Sequence, residues 1–488
     1  MKITIVGLGA GDVDDLTRKA WRVLENAETV YLRTERHPCV PYLPKRAEYV
    51  SFDELYEAHE QFRDVYEAIV ARLLTEARTG APVVYAVPGD PMMGEHAVMR
   101  LLERCPQEGI ALEIVNGVSF LEPTLRLLGV DAMNGLQIYD ALDVACQHHP
   151  QINPALPCLV AQVYSRDVAS DVKLTLMNQY PDDFVVQLVH GAGTEAAHVE
   201  TLPLYEIDRS RAINHLTSLF VPSLGQYTSF EAFQETVAYL RAPEGCPWDK
   251  AQTHASLRPY LIEEAYEALE AIDADDPQGL LGELGDLLLQ VVLHTQIATD
   301  EGEFQMADVL DYVNKKMIRR HPHVWGDVDV QGDAQQVLRN WDDIKRAERA
   351  EAGKPDGENA SLLDGVPKGL PALMVAYEYT KRAAKVGFDW HDVAGVEAKV
   401  REELNEVLEA RDVSHKIQEL GDLLFALVNW LRWLGNKDPE SLLREANAKF
   451  ARRFRHIEAQ ARAQGRTLKD LSLQEMDALW DEAKRQEQ

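Results

Sequence analysis

Four acidic residues between positions 401 and 422 have the spacing of a metal site. Glu403 and Glu406 are three residues apart, as are Glu419 and Asp422, so on a helix both acids of each pair project from one face. Apolar residues flank both pairs with helical periodicity, and a short connection between them predicts two antiparallel helices. Four acids that meet at one point repel one another unless a cation lies between them. All-oxygen ligation favours Mg²⁺ or Mn²⁺.

The same pattern occurs a second time upstream, where Glu264 and Glu267 precede Glu283 and Asp286. The first acids of the two sets are 139 residues apart, and the last acids are 136 apart. Polar residues and a tryptophan then recur in one order, as Asn314, Lys316, Arg320, Trp341 and Lys345 and again as Asn447, Lys449, Arg453, Trp480 and Lys484. We interpret this recurrence as an internal duplication.

A single pair of acids at this spacing is usually a solvated helix face. Two facing pairs beside apolar stripes, repeated in order, favour a metal site instead. A di-iron bundle would need histidine three residues after a glutamate on two helices. The chain has a carboxylate at every such position, which favours magnesium over iron; these positions are Glu267, Asp286, Glu406 and Asp422.

Basic residues accompany the second acid set. Three precede it and two more are four apart on one predicted helix face; these are Lys381, Arg382, Lys385, Lys449 and Arg453. Such side chains can hold phosphates, arginine as a fork and lysine as a point charge. The first set has only Lys250 and His254 in the corresponding place, so we expect the second set to be the stronger catalyst.

Bulk composition narrows the function classes. The chain has 488 residues, enough for two to four domains. Its 50 basic and 80 acidic residues disfavour a nucleic-acid polymer or an anionic membrane as a partner. The five cysteines are dispersed, as in reduced cytoplasmic proteins. We expect no signal peptide, and the apolar run Leu287–Leu293 is too short to span a bilayer.

The elements that position these residues fall into two classes. Up to Val221, short apolar runs alternate with amphipathic segments, including one long predicted helix over Glu54–Arg78. This alternation predicts an α/β half of two subdomains with largely parallel sheets. The remainder has helical periodicity and predicts an all-α half. The predicted domains are 1–222, 229–350 and 372–488, with a linker at 351–371 rich in Gly, Pro, Asp and Asn.

The helical half resembles the MazG family of nucleoside triphosphate pyrophosphohydrolases. The resemblance runs from about Thr236 to the C-terminus in two copies, and its segments include CPWDKAQTHASLRPYLIEEAYEALEAI, GELGDLLLQVV, IRRHPHVWGD and KVGFDW. The pattern E-E-x-x-E, a spacer and E-x-x-D occurs in both copies. The resemblance implies Mg²⁺-dependent cleavage of nucleoside triphosphates between the α- and β-phosphates. It also implies a helical homodimer or a higher homo-oligomer.

The resemblance and the charges together predict residue roles. Both acid sets would hold Mg²⁺, which neutralises the polyphosphate and lowers the pKa of a bound water. Glu402 is our candidate to orient or deprotonate that water. The departing pyrophosphate would be stabilised by Lys381, Lys385, Lys449 and Arg453.

A glycine loop, Gly7-Leu8-Gly9-Ala10-Gly11-Asp12, follows the first predicted strand. It lacks the G-x-G-x-x-G spacing of dinucleotide sites. Together with two later loops, it resembles the tetrapyrrole methylase family over about residues 1–221. That family binds S-adenosylmethionine between two α/β subdomains, which implies cofactor contacts at Gly7, Gly9, Gly11, Asp12, Gly89, Asp90 and Ser119.

Two alternatives to a pyrophosphohydrolase remain open at this point. One is an S-adenosylmethionine-binding, methyltransferase-like protein whose helical half dimerises and regulates. The other is an interaction scaffold, which the long helices and linkers would also suit. A retained α/β domain with a regulatory role is as compatible with the glycine loops as a methyltransferase is.

Overall fold

The computed structural model of the protein describes residues 1–59, 61–351, 361–435 and 437–487, without the side chains of residues 342, 346 and 349–351. Residues 352–360 of the predicted linker lie outside the described residues. The chain divides into two compact units, Met1–Asp311 and Tyr312–Gln488. The boundaries expected near 222, 229, 350 and 372 remain predictions.

The first sheet has five parallel strands in the order β3-β2-β4-β1-β5. The strands are β1 (Lys2–Gly7), β2 (Thr29–Leu32), β3 (Glu48–Ser51), β4 (Val83–Val87) and β5 (Ala111–Val115). Ile3 and Ile5 of β1 are buried in one apolar cluster, while Val6 is buried in another. Successive side chains of a strand point to opposite faces, so both faces of this sheet are covered.

The second sheet also has five strands, in the order β6-β7-β10-β8-β9. They are β6 (Gln137–Asp140), β7 (Cys158–Ala161), β8 (Val185–His190), β9 (His198–Pro203) and β10 (Thr217–Val221). Only β6 and β7 pair in parallel, and the other pairs are antiparallel. The expectation of a largely parallel sheet was therefore wrong here, because β8 and β9 are joined by a short loop without a crossover helix.

Seven helices cover these sheets among the described residues, namely α1 (Arg18–Asn26), α2 (Asp53–Ala58), α3 (Phe62–Arg78), α4 (His96–Gln107), α5 (Leu121–Leu128), α6 (Ala141–Ala145) and α7 (Arg166–Leu176). The single long helix that we predicted over Glu54–Arg78 is two helices. The backbone is extended at His59 and Gln61. This break places the Phe62 ring against Tyr56 and Tyr66, with centroids 6.4 Å away in both cases.

The rest of the described chain is helical, as predicted. Its helices are α8 (Phe230–Arg241), α9 (Pro247–Lys250), α10 (His254–Asp273), α11 (Pro277–Glu301), α12 (Met306–Arg320), α13 (Pro322–Trp325), α14 (Ala334–Glu351), α15 (Ala372–Lys385), α16 (Val393–Glu409), α17 (Val413–Leu434), α18 (Pro439–Ala463) and α19 (Leu473–Gln486). Across the described residues, no helix combines the length and apolarity needed to cross a lipid bilayer.

Candidate functional sites

The first acid set lies on a helical hairpin, α10 and α11. Thr253 and Ser256 form a capping box at the start of α10, since each side-chain oxygen accepts a hydrogen bond from the other residue's N–H. Asp276 caps α11 by accepting hydrogen bonds from the N–H groups of Gln278 and Gly279. Residues 274–276 alone join the two helices. Such a short connection makes the helices antiparallel and brings their acids together.

Three of the four predicted ligands of this hairpin converge. One carboxylate oxygen from each of Glu264, Glu267 and Glu283 lies within 4.8 Å of the other two. Asp286 is outside this group of three, but its charge is close enough to affect the group. Desolvation, followed by the charges of neighbouring carboxylates including Asp286, raises the pKa of Glu264 and of Glu283. Within the described chain, no Lys, Arg or His forms an ion pair with these four acids.

The second acid set lies on the hairpin of α16 and α17. The carboxylate of Asp392 caps α16, and that of Asp412 caps α17. One carboxylate oxygen from each of Glu403, Glu406 and Glu419 lies within 4.8 Å of the other two. Asp422, the fourth predicted ligand, is one helical turn beyond Glu419 and outside this group. The two hairpins thus arrange matching acids in the same way.

A lysine and a histidine lie against acids of the second hairpin, whereas the described residues place no such side chain against the acids of the first. Lys399 Nζ is 2.8 Å from Glu403 Oε1 and 2.9 Å from Glu402 Oε1. His415 Nε2 is 3.0 Å from Glu419 Oε1. Lys399 is therefore a site residue that the sequence interpretation missed. Its only signal was the four-residue spacing to Glu403, which is common on solvated helices.

The predicted general base, Glu402, and the predicted phosphate-binding lysines each have their own surroundings in the structure. Glu402 pairs with Lys399 and remains outside the group of three oxygens. Lys381 Nζ is 3.3 Å from Glu378 Oε1. Lys385 is the last residue of α15, and Lys449 is exposed on α18.

Arg453 of α18 belongs to a contact that occurs twice in the chain. Its Nη2 is 2.7 Å from Glu487 Oε2, and its guanidinium lies 5.4 Å from the centre of the Trp480 ring. In the corresponding place of the first set, Arg320 Nη2 is 2.6 Å from Glu348 Oε2. Each arginine is thus held by a glutamate from a later helix or its end, and the two contacts occur at corresponding places in the order of residues.

A cavity of about 680 Å³ lies in the α/β half. Three of the seven predicted cofactor contacts line it, namely Gly9, Gly89 and Asp90. The backbones of Gly9 and Gly89 are hydrogen-bonded to each other, with N···O distances of 3.2 and 2.8 Å. A side chain is excluded at Gly7, because a Cβ there would lie 2.5 Å from Gly89 O. The predicted contacts that do not line the cavity are Gly7, Gly11, Asp12 and Ser119.

The cavity wall also contains a buried ion pair that the sequence did not reveal. Arg33 and Glu95 are bonded to each other, and Arg33 Nε donates to the Tyr56 hydroxyl at 3.0 Å. Glu95 is 5% exposed. Burial raises the pKa of its carboxyl, and the charge of Arg33 offsets only part of that effect.

The helical half of the chain is similar to known proteins. A model of the MazG nucleotide pyrophosphohydrolase domain matches residues 252–325. The nucleoside triphosphate pyrophosphohydrolase/pyrophosphatase MazG of Thermotoga maritima is 44% identical over 255 residues, which cover 52% of this chain and 95% of that protein. The chain belongs to the MazG family. The uncharacterized protein YabN of Bacillus subtilis (strain 168) is 46% identical over 100% of this chain and 99% of its own length.

The α/β half has its own relatives. A model of the tetrapyrrole (corrin/porphyrin) methylases matches residues 2–208. A crystal structure of uroporphyrin-III-C-methyltransferase from Thermus thermophilus is 25% identical and covers 46% of this chain and 94% of that one, with a TM-score of 0.37. The predicted fold class, a tetrapyrrole methylase-like α/β half joined to a helical MazG half, is confirmed.

Within the MazG half, the matched family model covers the first hairpin. Residues 252–325 include all of α10 and α11 and therefore the acids of the first set. The second hairpin begins at Val393, beyond that match. Among the described residues, the matched first hairpin is the one whose acids have no cationic partner.

Proposed function

We propose that the protein is a nucleoside triphosphate pyrophosphohydrolase that releases a nucleoside monophosphate and pyrophosphate. The observation that carries this proposal is the convergence of three carboxylate oxygens, within 4.8 Å of one another, at the matching place of two helical hairpins. MazG relatives that bear the name nucleoside triphosphate pyrophosphohydrolase support it. The substrate class would be ribo- or deoxyribonucleoside triphosphates.

The residues present fit Mg²⁺ or Mn²⁺. All donors in both groups are carboxylate oxygens, the ligands that these hard cations prefer. In the first hairpin, desolvation and the charges of neighbouring carboxylates raise the pKa of Glu264 and of Glu283, and the same causes raise the pKa of Glu406 in the second hairpin. In the second, Glu403 Oε2 is buried and has no hydrogen-bond partner, as expected of an oxygen that completes its coordination with an ion.

We propose that the two hairpins are two MazG-type copies and that the second is the stronger catalyst. The ligands would be Glu264, Glu267, Glu283 and Asp286 in the first copy, and Glu403, Glu406, Glu419 and Asp422 in the second. In the part of the chain that the structure describes, a lysine lies among the acids of the second hairpin alone, namely Lys399. A lysine there can move from a carboxylate to a phosphate when the nucleotide arrives, which the acids alone cannot do.

The chain's own groups would divide the chemistry as follows. When bound, the metal would neutralise the triphosphate and lower the pKa of a water. Glu402 would accept the proton of the attacking water. The water oxygen would form a bond to one phosphorus of the α–β anhydride as the bond from that phosphorus to the bridging oxygen breaks. The charge of the released pyrophosphate would be stabilised by Lys381, Lys385, Lys449 and Arg453.

Exposed apolar side chains on both hairpins support a homodimer or a higher homo-oligomer. They include Ile262, Leu281 and Leu284 in the first hairpin and Leu408, Ile417 and Leu424 in the second. Such surfaces are usually covered by another protein surface. The five cysteines are free thiols, which suits a cytoplasmic enzyme.

A panel of nucleoside triphosphates incubated with Mg²⁺ tests the reaction. We expect nucleoside monophosphate and pyrophosphate in equal amounts, and none after the metal is removed with a chelator. A nucleoside diphosphate with orthophosphate would contradict the proposed bond cleavage. A matched panel of nucleoside diphosphates would show whether the enzyme requires a triphosphate.

The cavity in the α/β half supports a second candidate function, the binding of S-adenosylmethionine. Its volume of about 680 Å³ and its wall of Gly9, Gly89 and Asp90 suit a nucleoside-sized ligand. Calorimetry of the full-length protein with S-adenosylmethionine tests this proposal. We expect binding at a stoichiometry of one per chain, and no heat at any accessible concentration would remove the proposal.

A further inference from the structure

A second group of metal-ligating atoms lies at the other end of the first hairpin. One ring nitrogen of His254 and one carboxylate oxygen from each of Glu301 and Glu303 lie within 4.8 Å of one another. His254 is the first residue of α10, and Glu301 is the last of α11. Glu264, the first acid of the carboxylate group, is ten residues further along α10, which is about 15 Å along a helix. The two groups are therefore separate.

The ring of His254 is held in a defined orientation by His294 of α11. The two Nδ1 atoms are 2.8 Å apart, and the rings stack with an interplanar angle of 9°. One Nδ1 must donate its proton to the other for so short a contact to be favourable. With Nδ1 engaged in this way, Nε2 of His254 is the nitrogen left to bind a ligand. Metal-binding histidines are typically oriented by such a bond from the other ring nitrogen.

The two glutamates are fixed by the way α11 ends. Gly302 has a φ of 72°, its N–H bonds to Thr299 O, and the Glu303 N–H bonds to Ala298 O at 2.9 Å. This is a Schellman motif, which turns the chain back and places Glu301 and Glu303 on either side of the glycine. The C-terminal end of a helix also carries a partial negative charge, which favours a bound cation.

Arg241 of α8 holds the two sides of this group together without any ion. Its Nε is 2.7 Å from Asp300 Oδ2, next to Glu301. Its Nη1 donates to Asp249 O at 2.6 Å and to Gln252 O, just ahead of His254. The arginine charge is matched by Asp300, so the ligand group keeps its own negative charge. The structure thus preorganises the ligands.

We propose that His254, Glu301 and Glu303 bind one Zn²⁺ ion per chain, with His294 as the positioning residue. An imidazole in the donor set selects zinc over magnesium, whereas the all-carboxylate groups have the opposite preference. Three protein ligands leave one tetrahedral position for water. The bound ion would tie the start of α10 to the end of α11 and stabilise the hairpin that carries the first carboxylate group.

Zinc binding to the full-length protein tests this proposal independently of nucleotide hydrolysis. The chelator-treated protein is dialysed against micromolar Zn²⁺ in a large excess of Mg²⁺, which occupies the carboxylate groups. We expect one zinc per chain in the wild type. We expect the double variant Glu301→Gln with Glu303→Gln to bind zinc at least about tenfold more weakly. Both side chains are exposed, so this variant should fold normally.

Matched variants separate a specific site from surface binding. His391→Gln changes an exposed histidine elsewhere in the described chain and should leave the zinc stoichiometry unchanged. His294→Gln should weaken zinc binding by about ten- to a hundredfold while the ligands remain in place. Co²⁺ in place of zinc should give a visible absorption band that His254→Gln removes. Equal zinc binding by wild type and the double variant, or none by the wild type, would overturn the proposal.

Discussion

The two acid hairpins match in their acids and differ in what surrounds them. Each brings three carboxylate oxygens within 4.8 Å of one another. The described chain places no cation against the acids of the first hairpin. In the second, Lys399 bridges Glu402 and Glu403. The same arrangement of acids therefore occurs in two electrostatic settings, and we propose that a metal ion would bind directly in the first and would have to displace a lysine in the second.

The difference comes from single positions in the sequence. At the offset that relates the first acids, the counterpart of Lys399 is Tyr260. At the offset that relates the last acids, the counterpart of His415 is Gly279. Neither counterpart can carry a positive charge, so neither offsets the repulsion among the acids of the first group. We infer that the first hairpin suits tight metal binding, while the second suits a metal that arrives with its nucleotide.

The largest effect should come from removing one ligand in each hairpin separately. Glu406→Gln should lower kcat/KM for nucleoside triphosphates by about a hundredfold or more, whereas Glu267→Gln should lower it by less than about tenfold. Both effects are measured as pyrophosphate release at saturating Mg²⁺. Glu409→Gln, at the end of α16 and outside the acid group, is the control. Equal losses in the two variants would show that the second copy has no catalytic advantage.

Lys399→Met should change how the second hairpin binds metal alone. Without the competing ammonium group, Mg²⁺ binding at Glu403 and Glu406 should tighten by about fivefold, or about 1 kcal/mol, the upper range for a half-exposed ion pair. Calorimetry in a Glu267→Gln background isolates this site. Lys416→Met removes an exposed lysine of α17 and should have no effect. Weaker binding in Lys399→Met would mean that the lysine orders the ligands and does not compete with the metal.

Removing the glutamate that pairs with Arg453 and the one that pairs with Arg320 should have unequal effects on substrate affinity. Glu487→Gln releases Arg453 and should lower KM for nucleoside triphosphates by about two- to threefold, because a partly exposed ion pair holds the arginine only moderately. Glu348→Gln releases Arg320 and should leave KM unchanged. Steady-state kinetics with both variants decides between these outcomes. An effect of the same size in both would indicate that nucleotide is bound equally by both copies.

The smallest effect should be the pH dependence of metal-free stability. The pKa values of Glu264 and Glu283 are raised in the folded protein, so the folded state binds protons more tightly than the unfolded state. The free energy of unfolding should therefore fall as the pH rises from the ordinary pKa of glutamate through the raised pKa values of the folded state. Thermal unfolding in a chelator measures this slope. The double variant Glu264→Gln with Glu283→Gln should flatten this slope, and so should saturating Mg²⁺. An unchanged slope in the double variant would show that these two glutamates do not cause the pH dependence.

Much of this arrangement could be predicted from the sequence because its causes are local. The acid pairs lie on helices with clear apolar periodicity, and short capped connections place the pairs opposite each other. Lys399 was missed because a lysine four residues before a glutamate is common on any exposed helix. The pairing of Arg453 with Glu487 joins residues 34 positions apart, and no periodicity reports such a contact.

In the α/β half, too, features with local causes could be predicted from the sequence and features that depend on the tertiary structure could not. The α/β class could be predicted because short apolar runs and amphipathic segments alternate along the sequence, and both patterns are local. Strand direction depends on the connection, and the loop between β8 and β9 contains Gly191 and Gly193, both with positive φ, so the chain reverses there as an antiparallel pair. The break between α2 and α3 was missed because the helical pattern of the sequence continues across it.

The place of β10 limits how the chain can be divided. This strand is the last of its sheet in sequence, yet it is the middle one in space, hydrogen-bonded to β7 and β8 on its two sides. A fragment that stopped at residue 208 would leave a gap through the centre of the sheet, with two unpaired edges facing each other. Any separately expressed α/β half should therefore extend past Val221. The fold of this half should tolerate a protease cut just after Val221 far better than a cut just before Thr217.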